Sequence, residues 1–179
     1  MHRALARERP APEPRGYVRG GFGDEMDYGY LAVTGYFLAL PGWRARPLDP
    51  QEVVYLTGFF AFIALASSSA VPMSPAEAAT GARASVARRL MLLGTRADDL
   101  TDRIRTFQAR LNEYSALWLG VLKGENSFGA FAERVFERVQ SGDRTRVGYL
   151  EHLNAFPDFC ERRIKALQVA VPAPSAAPV

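Results

Sequence analysis

The chain is poor in the side chains that most often carry out chemistry. Its 179 residues include one cysteine, Cys160, and two histidines, His2 and His152. A single cysteine excludes an internal disulfide and suits the cytoplasm or another reducing compartment. So few sulfur and imidazole ligands cannot build a typical His/Cys zinc site within one chain. Cys160 and His152 are separated by Pro157, which breaks a helix, so they form no local nucleophile–base pair. Lysine is also scarce: of the 22 basic residues only Lys123 and Lys165 are lysine, a bias that a GC-rich coding sequence explains. The net charge is only +3 and no basic block stands alone. A surface that tracks nucleic-acid phosphates is therefore disfavoured. No glycine-rich phosphate loop occurs, because "RGGFGDE" follows no strand. The opening "MHRALARERPAPEPRG" lacks the apolar core of a secretory signal. Nothing in the sequence calls for a cofactor.

What is present is the material of one folded domain. Apolar residues make up 48% of the chain and charged residues 23%, and the length suits a single sizeable core. The sequence predicts a disordered arm over 1–23, a helical domain over 24–171 and a disordered tail over 172–179. No strand or hairpin pattern appears, so the expected fold is all-α, a bundle of six or seven helices.

Local signals divide the domain. Asp24, Glu25 and Asp27 precede an uncharged run ended by Pro41-Gly42, which predicts a short buried helix over about 25–40. Asp49, Pro50 and Glu52 have capping-box spacing, and Ser74, Pro75 and Glu77 repeat it. They predict a central apolar helix over about 50–71 and another helix starting near 75. From Val86 through Leu90, Leu93, Ala97, Leu100, Ile104, Phe107, Leu111, Tyr114 and Trp118 to Val121, apolar residues alternate in steps of four and three. This heptad phase predicts one long helix over about 75–123, although Gly94-Thr95 with Asp98 could divide it. Gly124 closes it. Further helices are expected from Phe128 to the region of Gly142, over 143–156 where Pro157 stops it, and from Asp158 to Val171.

The uncharged run from Val53 to Met73 admits two fates. A span over about 52–72 would be about 31 Å long, close to bilayer thickness. Against it stand Tyr55, Thr57 and three consecutive serines, which cancel much of the gain from insertion, and flanking arginines on both sides. A helix apolar all round is also what the centre of a bundle needs, and the core is the favoured reading. A single-pass membrane protein with a helical domain is the alternative.

One motif invites metal chemistry. Asp98, Asp99 and Asp102, in "DDLTD", place carboxylates at i and i+4 on one helical face. The run resembles the first aspartate-rich motif of isoprenoid diphosphate and terpene synthases, which are also all-α. That resemblance implies Mg²⁺ bound against a diphosphate. It covers five residues, and no second metal-binding motif matches. The simpler reading is helix-end electrostatics with Arg103 and Arg105 nearby. The doublets Arg88-Arg89 and Arg162-Arg163, and the Glu133/Glu137 pair, read as solvent-facing. What remains is binding. The expected function is a non-catalytic helical subunit or adaptor whose partners are other protein chains or a second copy. Tyr28, Tyr30, Tyr36, Trp43 and Trp118 are the candidate anchors. Membrane association stays open, as does a Mg²⁺-dependent enzyme built on the three aspartates.

Overall fold

The computed structural model describes residues 22–40, 48–68, 72–125, 128–140 and 155–171. Over these residues the chain forms six helices and no strand. They are α1 (Phe22–Ala39), α2 (Pro50–Ala66), α3 (Pro75–Leu92), α4 (Ala97–Leu122), α5 (Phe128–Val139) and α6 (Phe156–Ala170). One antiparallel bridge, Leu48 with Gln140, ties the entry of α2 to the exit of α5. Most of the expected arm, the tail, Trp43 and all but the last residues of the helix expected over 143–156 lie outside the described residues. Phe156 and Pro157 instead open α6, where proline's missing N–H costs nothing.

The uncharged run resolves into the centre of the bundle. α2 packs against every other described helix, and its residues from Glu52 to Ala61 are all buried. It ends at Ala66 rather than near 71, and no helix among the described residues is long and apolar enough to cross a membrane. The alternative of one spanning helix over about 52–72 is thereby corrected. Val53, Val54, Tyr55 and Leu56, which follow one another around the helix in steps of about 100°, are all buried, so α2 meets protein on all sides. Both predicted starts hold. Ser74 and Glu77 form a complete capping box, each side chain bonded to the other's backbone amide. At Asp49 only half of one forms. Its carboxylate accepts from Gln51 N and Glu52 N, but its own amide donates to Val139 O at 2.9 Å, freeing the Glu52 side chain to turn inward.

The expected long helix over about 75–123 is two helices. Gly94 adopts φ +91°, the left-handed conformation that glycine tolerates best. Its amide donates to Met91 O and the Thr95 amide to Leu90 O, the paired bonds of a Schellman stop. Gly124, φ +72°, closes α4 with the same pair of bonds: its own amide donates to Val121 O and the Glu125 amide to Gly120 O. The seam itself is core: Val86, Leu90, Phe107, Leu111 and Tyr114 are buried, while Leu93 and Ala97, at the break, are exposed. The heptad phase thus reports two buried stripes, one on each of two helices that reverse direction at the exposed break.

Aromatic rings fill the space between α1, α2, α4, α5 and α6. Phe59 lies within 6.0 Å, centroid to centroid, of Phe60, Tyr114, Trp118 and Phe131. Phe156 joins Phe37, Phe131 and Phe136 on the opposite side. These ring contacts, many edge-to-face, place most of the described aromatic residues within one core.

Candidate functional site

Three regions carry polar or apolar features beyond ordinary core packing. The first is internal. Glu52, on the first turn of α2, receives a bidentate grip from Arg110 of α4, with Nε at 3.0 Å from both carboxylate oxygens and Nη2 at 2.7 Å from Oε1. Such a fork satisfies both charges where water is largely excluded. The bond to Glu52 holds the Arg110 guanidinium charged, its pKa raised. The hydroxyls of Tyr55 and Tyr114 are buried without a hydrogen-bond partner. Burial, and secondarily the Glu52 charge, pushes the Tyr114 phenol far above its ordinary value. With its carboxylate fully engaged and its phenols held neutral, this cluster fastens α2 to α4.

The second region holds the three aspartates. Asp98 pairs with Arg96 at 3.8 Å and Asp102 with Arg105 at 2.8 Å. Asp99 lines a cleft of about 260 Å³ at the α3–α4 turn together with Arg96 and Arg103. A divalent cation needs converging oxygens, and this cleft presents guanidinium groups beside its one carboxylate. Among the described residues no group of three or more potential metal ligands comes together. The structure therefore does not gather Asp98, Asp99 and Asp102 into a metal centre.

The third region is the outer face of α1. The sequence predicts this helix to be buried, but only one side of it is. Met26, Gly29, Val33 and Phe37 face the core. On the other side Tyr28 is 60% exposed, Leu31 62% and Leu38 40%, with the exposed Gly35 between them. These four residues are spaced three, four and three, which aligns them along one face of a helix.

The flanks of α1 are pinned. Asp27 takes Arg88 at 3.2 Å and Arg89 at 3.6 Å from α3. The Arg89 guanidinium also lies 4.0 Å above the Tyr30 ring. From α6 comes Arg163, read from the sequence as solvent-facing but in fact buried. Its Nη2 donates to Glu25 O at 3.1 Å and to Glu25 Oε2 at 3.3 Å, and its guanidinium stands 5.2 Å from the Tyr28 ring centroid. A Cβ on Gly29 would come within 2.9 Å of that Nη2, so the Arg163 guanidinium sits in the space the glycine leaves. α1 is thus held from both sides with its apolar stripe outward.

Of the candidate anchors among the described residues, which exclude Trp43, only Tyr28 stands out from the surface. Tyr30 lies half-buried under Arg89. Tyr36 is stacked on Phe159 at 4.4 Å, with its hydroxyl buried and unpartnered. Burial pushes its phenol up to about 12. Trp118 is half-buried and packs edge-on against Phe59, Phe128 and Phe131. Tyr30, Tyr36 and Trp118 therefore serve the protein's own packing. Leu31, Gly35 and Leu38, which belong with Tyr28, carry no sequence signal beyond their three-four-three spacing.

An open groove of about 620 Å³ at one end of the bundle adds a concave surface, walled by Phe22, Leu65, Met73 and Val171. Its one carboxylate, Glu77, is committed to the capping box. Compared with protein-family models, with curated proteins and with solved structures, the chain matches none.

Proposed function

We propose that this chain is a non-catalytic interaction protein, a helical subunit or adaptor that docks through the outer face of α1. The reading is carried by the Tyr28–Leu31–Leu38 stripe: three large apolar side chains exposed in line on a helix whose other flanks are fixed by ion pairs. A tyrosine beside two leucines has the composition of an interface anchor and its surround. Pre-fixed geometry supports the same reading, since a held helix loses little freedom on binding. Complexes between helices read such faces at the spacing seen here.

The test is the native size of the tagged protein in an extract of the cells that make it. The wild type should elute well above its single-chain mass of 19.7 kDa. A Tyr28→Glu, Leu31→Glu double variant should elute as a single chain with an unchanged circular-dichroism spectrum, because both side chains point outward. Wild-type elution as a single chain would overturn the proposal, as would a large complex indifferent to the two substitutions.

A further inference from the structure

We infer that the α1 stripe is self-complementary and that its partner is a second copy of this chain, α1 against α1 in antiparallel orientation. The inference rests on the reading of that face as a docking surface and names its occupant. The spacing Tyr28, Leu31, Gly35, Leu38 runs three, four, three, and so reads the same from either end. A two-fold axis across the helix at position 33 therefore maps the stripe onto itself. Tyr28 then faces the partner's Leu38, and Leu31 faces the partner's Gly35. Each layer sets a large side chain against a smaller one, and two-fold closure limits the assembly to two chains.

Gly35 is the observation that points outward. No atom lies within 4 Å of the place its Cβ would occupy, and its φ is not positive. Neither the packing nor the backbone of the single chain needs glycine there, and a mid-helix glycine weakens the helix. A leucine arriving from a second helix does need the space. Parallel pairing would stack Gly35 on the partner's Gly35, leaving a hole, and would align the two helix dipoles. Antiparallel pairing fills the hole and opposes the dipoles.

One cation favours the same arrangement, at a helix end that carries no basic residue of its own in its last turn. Arg88, held on Asp27 and 60% exposed, flanks the N-terminal half of the stripe. The axis at position 33 maps Asp27 onto the partner's Ala39. Arg88 is thereby brought beside the carbonyl end of the partner's α1, where a cation is favoured.

The experiment is sedimentation equilibrium of the purified full chain with three proteins. The wild type should reach twice 19.7 kDa as concentration rises. Gly35→Leu should weaken that association by about tenfold or more, because the added side chain would meet the partner's Leu31. Its melting temperature at high dilution should be unchanged or higher, since its own chain leaves the site empty. Leu31→Gly combined with Gly35→Leu exchanges knob and hole and should restore the dimer. A wild type monomeric at every concentration, a dimer insensitive to Gly35→Leu, or a double variant that stays single would each overturn the pairing. A monomeric wild type whose large native complex still depends on Tyr28 and Leu31 overturns the self-pairing and leaves the docking face standing.

Discussion

Replacing Gly58 with alanine should destabilise the protein, although the same change in most helices stabilises it. Gly58 sits on α2 where α3 and α4 cross it. A Cβ there would lie 2.4 Å from Val86 Cγ2 and 2.8 and 2.9 Å from two ring carbons of Phe107. Both neighbours are fully buried. Val86 is β-branched with one comfortable rotamer in a helix, and the Phe107 ring lies against Tyr55 at 6.0 Å, so neither yields easily. Overpacking of this kind costs about 1–3 kcal/mol. Alanine's better helix propensity returns just under about 1 kcal/mol. A 2.4 Å approach to a stiff side chain takes the upper part of that range, so the net loss is about 1–2 kcal/mol, or about 2–8 °C in melting temperature for a chain of this size. Urea and thermal unfolding of Gly58→Ala measure it, with Gly35→Ala as the matched control at high dilution. At Gly35 nothing obstructs a Cβ, so the control should gain about 0.5–1 kcal/mol. Adding Val86→Ala to Gly58→Ala should show coupling, because the second change removes the clashing methyls. A Gly58→Ala protein as stable as wild type would refute the close crossing of α2 with α3 and α4.

The remaining expectations concern charge. Glu52→Ala strands Arg110 in a mostly buried site and should cost about 3 kcal/mol in urea unfolding, with Glu52→Leu, Arg110→Leu together costing less than the single change. Asp98→Asn and Asp102→Asn, both at exposed positions, should each cost no more than about 1 kcal/mol, and added Mg²⁺ should not shift either melting curve; a Mg²⁺-dependent activity lost in these variants would promote the metal reading. Burial pushes Tyr36 up to about 12, and holds Tyr114 and Cys160 well above their own ordinary values. These groups favour their protonated forms in the fold, so the stability they contribute is intact below the pH at which the unfolded chain ionises, about 9 for the thiol and about 10 for the phenols. It is lost as pH rises from there through the folded values, because the unfolded chain ionises first. Ultraviolet titration should show Tyr36 and Tyr114 ionising late, and Cys160 should resist thiol reagents until the chain unfolds.

The parts of the fold that are legible in the sequence are those fixed by neighbours in the chain. Asp49-Pro50 and Ser74-Pro75 start helices where the capping chemistry says they should, and Gly124 stops one. The stripe of Cys160, Ile164, Leu167 and Val171 is buried on α6 as its spacing implies. The break at Gly94 is obscured because hydrophobic phase records which residues are buried and is blind to φ. Arg163 reads as solvent-facing because its partner, Glu25, lies 138 residues away, and the Glu52–Arg110 tie spans 58 residues. No local pattern encodes such pairs. α1 poses a different difficulty: a helix apolar on every side does not reveal which side is covered. The capped, uncharged run of α2 reads as the centre of the bundle and lies there, whereas nothing local tells which side of α1 is left at the surface.

Hydroxyl-radical footprinting of Tyr28 tests docking through α1 most directly. Tyr28 and Leu31 should be oxidised readily in the dilute purified protein and strongly protected in the native complex. Val169 of α6, 87% exposed, should react alike in both and serves as the internal standard. Equal oxidation of Tyr28 in the two states would mean that the outer face of α1 is not where this protein meets its partner.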